Sequence, residues 1–391
     1  MCRSLYGHYY GHDCEFWGAA FPTGGLPAGE ALDSPQGRYA VSISNPNHWF
    51  AAEITIADQT GTLTADPQGH PLPKTIAPQE THTFELARRE PKAPFQARLA
   101  YRIHSTMPVT AVQLNPKDES GWQSRDGSIL LPREYAGKEH VVLTRSATFQ
   151  PQRSWFAVIA LGWGTNVLVT VTAATLGTEG IPPLEPGEWM LRTMDAHDVL
   201  YVQGRTPSDD LTGTIVVANR DNIVFAGVTA GHAPSTAQCD HPDGPAAPGR
   251  CRWPFENGGE VMACAGPADC TQFETCCAGH LEDTMLPTEF WGKHYVASHT
   301  VPRGTGTGGD LYRVVAATDG TEITTWPPQT PGATLDRGEW FEFESAMDFE
   351  IHATQPVLVG QFMNGRQHAG PGGSSGPAFW VLLPMKRARS S

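Results

Sequence analysis

Charge is scarce in this chain of 391 residues: Asp, Glu, Lys and Arg make up only 17% of it, and acidic residues outnumber basic ones 41 to 27. A net charge of −14 leaves few clustered cations to hold a phosphate backbone, so no nucleic acid is expected as a partner. Long hydrophobic runs are missing too. The longest, Trp155 to Trp163, contains Gly162 and falls well short of the ~20 apolar residues that span a bilayer, so no transmembrane segment is expected. Helical periodicity is not sustained anywhere, and 41 glycines with 33 prolines leave few windows for a long helix. No apolar stretch of a signal peptide follows Met1-Cys2-Arg3-Ser4. The nucleophile elbow G-x-S-x-G, the zinc-protease signature H-E-x-x-H and a phosphate loop ending in Lys-Ser/Thr are absent. So is any permissive Asn-x-Ser/Thr glycosylation acceptor.

What the chain does have is alternation. Tyr39-Ala40-Val41-Ser42-Ile43, Glu53-Ile54-Thr55-Ile56, Val167-Leu168-Val169-Thr170 and Leu311-Tyr312-Arg313-Val314-Val315 are β-branched or alternating runs bounded by turn formers. Asn45-Pro46-Asn47, Trp163-Gly164-Thr165-Asn166 and Thr318-Asp319-Gly320-Thr321 read as turns between paired strands. Three short signatures recur. Leu130-Leu131-Pro132-Arg133-Glu134-Tyr135-Ala136-Gly137 returns as Met285-Leu286-Pro287-Thr288-Glu289-Phe290-Trp291-Gly292, and its opening returns again as Leu382-Leu383-Pro384. Pro186-Gly187-Glu188-Trp189 returns as Arg337-Gly338-Glu339-Trp340, with Pro78-Gln79-Glu80-Thr81 as a weaker copy. Closing strands begin near Met107, Asn222 and Gln355. The shared order predicts an all-β fold of about three tandem antiparallel β-sandwich-like modules, with propeller-like closure of the same strands as the alternative.

The expected organisation is an N-terminal cysteine-containing segment (1–36) and β-modules over 37–118, 119–232 and 283–376. A Cys-rich insertion over 233–282 interrupts the series, and 377–391 starts a further module that ends in a basic tail. The insertion holds Cys239, Cys251, Cys264, Cys270, Cys276 and Cys277; Cys2 and Cys14 lie near the N-terminus. Such loop-like sequence lacks the apolar content for a core and calls for disulfide staples. The six are expected to pair among themselves, with Cys276 and Cys277 taking different partners, and Cys2 to pair with Cys14, because short loops cost least to close.

Metal and catalytic readings are weaker. Cys2, His8, His12 and Cys14 have poor spacing for structural zinc, and Asp209-Asp210 and Asp319-Gly320-Thr321-Glu322 read as solvated turns rather than calcium loops. No metal, cofactor or catalytic residue is expected. Trp49, Trp163 and Trp291 read equally as sugar- or protein-contact residues or as core anchors, and Trp189 and Trp340 are expected in the core.

The block Cys276-Cys277-Ala278-Gly279-His280-Leu281-Glu282-Asp283, the following Leu286-Pro287-x-x-x-Trp291-Gly292-Lys293-x-Tyr295, and Cys14-Glu15-Phe16-Trp17 resemble the N-terminal domain of IgG-Fc-binding proteins. The resemblance covers nearly the whole chain. It implies an extracellular or cell-surface binding and adhesion module, part of a larger polypeptide, that recognises a protein or glycan and carries no catalytic residues. Gly279 stands where the pattern has an aspartate, and both ends are expected to be cut from a longer chain. The alternative is a secreted hydrolase of envelope polymers using His280 with Glu282 or Asp283.

Overall fold

A computed structural model describes residues 13–23, 39–90, 93–117, 126–147, 150–233, 238–240, 249–252, 263–264, 278–301, 309–365 and 377–385. Among them there is no α-helix, and no helix is long and apolar enough to cross a membrane. Three large curled antiparallel sheets follow one another along the chain, with a small three-stranded sheet between the second and the third.

Each large sheet is organised around one long strand: Tyr101–Leu114 in sheet I, Ile215–Gly231 in sheet II and Phe349–Met363 in sheet III. The long strand runs between the first two core strands of its module. Thus Ser154–Ala160 and Thr165–Thr170 both pair with Ile215–Gly231, and Asp310–Ala316 and Thr321–Trp326 both pair with Phe349–Met363. Sheet I repeats this with Tyr39–Ser44 and Ala52–Asp58. This corrects the expectation of hairpins at Trp163-Gly164, Asp319-Gly320 and Asn45-Pro46. Trp163-Gly164 and Asp319-Gly320 are turns, but in all three places the strands that are joined lie on opposite sides of the long strand.

Burial explains the strand patterns. Thr165, Val167 and Val169 point inward while Asn166 and Leu168 face solvent, as period-two geometry requires. Ser154–Ala160 is buried on both faces. Its Trp155, Ala157 and Ile159 join the core of sheet I, whereas Phe156, Val158 and Ala160 join the core that reaches sheet III. Sheet III repeats the device: Leu311 and Val315 pack toward sheet II, while Tyr312, Val314 and Ala316 fill its own core. The modules are therefore stacked in series rather than closed as a propeller.

The recurring signatures have physical roles. In the turns before Thr81, Trp189 and Trp340, positions Gln79, Gly187 and Gly338 all adopt left-handed backbone, with φ of 60, 85 and 84°. Two of the three are glycine because a Cβ is strained there. In the Leu-Leu-Pro signature, each proline lies on the glycine of the copy before it. A Cβ on Gly137 would stand 2.4 Å from the Pro287 ring, and one on Gly292 would stand 2.2 Å from Pro384. Tyr135 and Phe290, at matching positions, meet at 5.0 Å between ring centres.

The same signature links the sheets by exchange of strands. Gly127–Ile129 pairs with the long strand of sheet I, Gly279–Met285 with that of sheet II, and Ala378–Val381 with that of sheet III. Two sequence boundaries are corrected by this pairing. Residues 279–282 belong to a strand of sheet II, not to the Cys-rich insertion, and Asp13–Gly18 is a strand of sheet I, not a separate N-terminal segment. Phe95–Arg98 also crosses over, pairing with Asp198–Gln203 at the edge of sheet II. The insertion thus connects the two arms of a hairpin whose base is the pair Gly231 and Gly279.

Candidate functional site

His280, Glu282 and Asp283 lie at 2, 0 and 8% exposure, so the candidate acid–base group is sealed from solvent and offers a substrate no access as folded. Alternation along Gly279–Met285 sends His280 and Glu282 toward sheet I and Asp283 toward sheet III. The Glu282 carboxylate accepts hydrogen bonds from Gln113 Nε2 (2.7 Å), Ser128 Oγ (2.9 Å) and Asn115 Nδ2 (2.7 Å), and pairs with His280 Nε2 at 2.9 Å. Its backbone N–H donates to Asp126 Oδ2. The His280 ring stacks on buried Trp155, 10° from parallel, and its Nδ1 donates to the carbonyl of Thr229. Asp283 accepts the N–H of Val381, from the strand that completes sheet III, at 2.6 Å. One short strand therefore fastens all three sheets.

Three carboxyl groups and one imidazole share this water-excluding joint. Burial pushes Asp126 well above the ordinary carboxylate range and takes Asp283 up to about 7, with the charge of Glu282 adding to both. A carboxyl raised on folding stabilises the fold most below its unfolded pKa of about 4, and loses that contribution as pH rises through its folded value. The expected result is that the wild type loses more stability between pH 4 and 7 than Asp283→Asn. Urea midpoints at several pH values check this; parallel pH profiles would remove the shifted Asp283 from the account.

A second site lies on the surface between sheets I and II. This cleft, of about 510 Å³, is lined by Trp17, Arg98, Arg102, Arg133, Trp163 and His197 among others. Arg102 is an outward residue of an alternating strand, and Arg133 sits on a 3-10 turn behind Pro132. Arg98 ends the crossover strand, where its guanidinium lies 4.7 Å from the centre of the exposed Trp163 ring. His197 adopts left-handed backbone and is held by its Nδ1–H donating to Ala100 O at 2.8 Å. Glu15 underlies both Arg102 and Arg133. Burial pushes its carboxyl up, but hydrogen bonds from Arg102 and Trp17 reverse this and hold it below the ordinary range. Among the described lining residues the one carboxylate, Asp58, is buried against Arg89. A neighbouring cleft shares Arg133 and adds Lys138 and Arg220, both exposed. The two clefts together hold five cations, of which Arg98 pairs with Asp195 and Arg102 and Arg133 with Glu15, while exposed Asp221 stands beside Lys138 and Arg220.

Several sequence candidates fall elsewhere. Trp163 lines the cleft and Trp49 is 85% exposed, but Trp291 is buried, its indole N–H donating to Leu286 O. Trp189, expected in the core, is 64% exposed, and Trp340 is an exposed ring capped by the Arg313 guanidinium at 3.7 Å. Both follow the left-handed turn and leave it facing outward. Asp210 pairs with the buried Arg313 at 2.7 Å rather than lying in a solvated turn. Cys14 is buried and disulfide-bonded. Cys2, His8, His12, Cys270, Cys276 and Cys277 lie outside the described residues. Cys239, Cys251 and Cys264 lie in a small three-stranded sheet, with Cys239 directly opposite Cys251 in the backbone register. Sequence reasoning missed the cleft arginines, because they come from separate strands and turns and no spacing joins them.

The family described as IgGFc binding protein matches residues 126–243 and 257–391. The human protein named IgGFc-binding protein is 24% identical over 257 residues, which is 66% of this chain and 4% of that protein. The chain thus spans a small fraction of the curated relative it matches. No solved structure matches.

Proposed function

Because the chain belongs to the IgGFc-binding protein family, we propose that it is a non-enzymatic module, acting outside the cell or at its surface, that binds a protein partner through the arginine–tryptophan cleft. The carrying observation is that cleft itself: arginine and tryptophan are the residue types that dominate binding energy at protein interfaces, and here they meet an otherwise acidic surface. The matching partner surface is acidic, such as one rich in Asp and Glu. The relative's name makes the Fc region of immunoglobulin G the first protein to try. Disulfides within the Cys-rich segment and between Cys2 and Cys14 fit an oxidising compartment, and an antiparallel partner position for Cys239 and Cys251 suits a cross-strand bridge.

Biolayer interferometry with immobilised chain tests this against human IgG Fc and against an array of sialylated and sulfated glycans. Saturable, salt-sensitive Fc binding is expected, weakened at least about 30-fold by Trp163→Ala and about tenfold by Arg133→Glu, with Trp49→Ala unchanged. Binding of glycans alone would replace the protein partner by a glycan. Fc binding indifferent to both cleft substitutions would move the site. Hydrolysis of an envelope polymer that disappears in His280→Ala would overturn the non-enzymatic reading.

A further inference from the structure

We infer that His294, Glu350 and His352, on the solvent face of sheet III, form a binding site for one divalent transition-metal ion of the zinc, nickel and copper class. The strand Gly292–Ala297 pairs with Phe349–Met363 so that His294 stands directly opposite His352, and Val296 opposite Glu350. Period-two geometry puts Glu350 on the same face as His352. The residues between them, Tyr295 and Ile351, are fully buried, so the three ligands all point away from the core.

The geometry is close to that of a bound ion. His294 Nε2 and His352 Nε2 each lie 2.9 Å from the same oxygen, Oε2 of Glu350. The two rings stack with centres 4.5 Å apart and 16° between planes. Zinc bonds of about 2.0–2.1 Å to nitrogen and oxygen place neighbouring tetrahedral ligands about 3.3 Å apart, so each histidine nitrogen needs to move only about 0.4 Å from the Glu350 oxygen, and all three ligand atoms already lie within 4.8 Å of one another. Partly exposed side chains make such a shift by small rotamer changes, and their side-chain exposures of 38, 38 and 47% leave the fourth position open to water.

The donor set selects the ion. Two imidazoles and one carboxylate suit zinc, nickel or copper, whereas calcium and magnesium call for more oxygen ligands. Without an ion, both histidines compete for one oxygen. A metal ion satisfies all three at once. The site is independent of the cleft between sheets I and II.

Trp326 supplies a reporter, because it pairs with Glu350 on the adjoining strand and is 67% exposed. Titration of the metal-stripped full chain with zinc chloride by calorimetry should show a site of micromolar or tighter affinity. His294→Ala and His352→Ala should each weaken it about 10- to 100-fold, and Glu350→Gln about tenfold. Copper(II) should quench tryptophan fluorescence in the wild type; Trp326→Phe should lose that quenching while keeping zinc affinity. Circular dichroism of the stripped variants should be unchanged, since all three side chains are outside the core. Calcium should not compete. Absence of zinc binding at 100-fold excess over protein would overturn the proposal, as would zinc affinity that survives in the His294→Ala/His352→Ala double variant.

Discussion

Glu282→Ala should destabilise the protein by about 3–5 kcal/mol, among the largest losses a single substitution here can produce. The carboxylate has no exposure and receives donors from Gln113, Asn115, Ser128 and His280. Removing it leaves these buried groups without their acceptor, and each unsatisfied buried polar group costs about 1–3 kcal/mol. Relaxation of the loose amides reduces the sum, which sets the estimate below simple addition. Glu282→Gln keeps the volume but replaces one acceptor oxygen with a donor that faces donors, so it should lose less than Ala and more than 1 kcal/mol or so. Urea titration followed by tryptophan fluorescence reads the result through Trp155, which stacks on His280. A loss in Glu282→Ala smaller than about 1 kcal/mol would mean that water replaces the carboxylate and that the joint is not closed.

Arg313→Met should have a comparable effect at the other junction. Arg313 is 3% exposed and reaches from sheet III to Asp210 at 2.7 Å, Thr144 O at 2.6 Å and Thr212 Oγ1 at 2.8 Å, all in the sheet II module. On its own side it pairs with Glu342, which Arg145 also contacts from sheet II. Burial pushes Asp210 up, yet Arg313 and Thr212 outweigh it and hold the carboxyl below its ordinary range. Truncating one member strands the opposite charge in a poorly hydrated site, which costs about 3–5 kcal/mol. The loss should change little between 0.05 and 1 M salt, because buried pairs are weakly screened. A double variant, Arg313→Met with Asp210→Leu, should recover part of the stability. Failure of that recovery would show that the backbone contacts to Arg313, rather than its ion pairs, hold the junction.

Much of the architecture was legible because strands advertise themselves locally. Val167 and Val169 alternate with polar or exposed neighbours, and Gly187 and Gly338 mark turns that need left-handed backbone. The weaker copy at Gln79 also proved to be the same turn. What sequence does not carry is which strand lies between which. The long strand that separates Ser154–Ala160 from Thr165–Thr170 arrives some 50 residues later, so adjacent strands read as a hairpin. The same gap hid the candidate sites. His294 meets His352 only through strand register, and Arg98 meets Trp163 only because Phe95–Arg98 crosses to the next sheet. His280 and Glu282 were visible as a group, but a buried fastening and an exposed acid–base pair use the same residue types. Only the surrounding burial distinguishes them.

The hairpin base at Gly231 and Gly279 has a consequence for how the Cys-rich interval is tolerated. Sheets I and III make the corresponding connection from Leu114 to Gly127 and from Met363 to Ala378 with far fewer residues. Closing a flexible loop grows costlier only with the logarithm of its length, about 0.6 kcal/mol for each doubling. A longer connection between these arms therefore adds little closure cost so long as the arms find their register. Selection can rewrite it, and an experimenter can replace it with a short turn or a reporter domain, while the load of holding sheet II together stays on the stem.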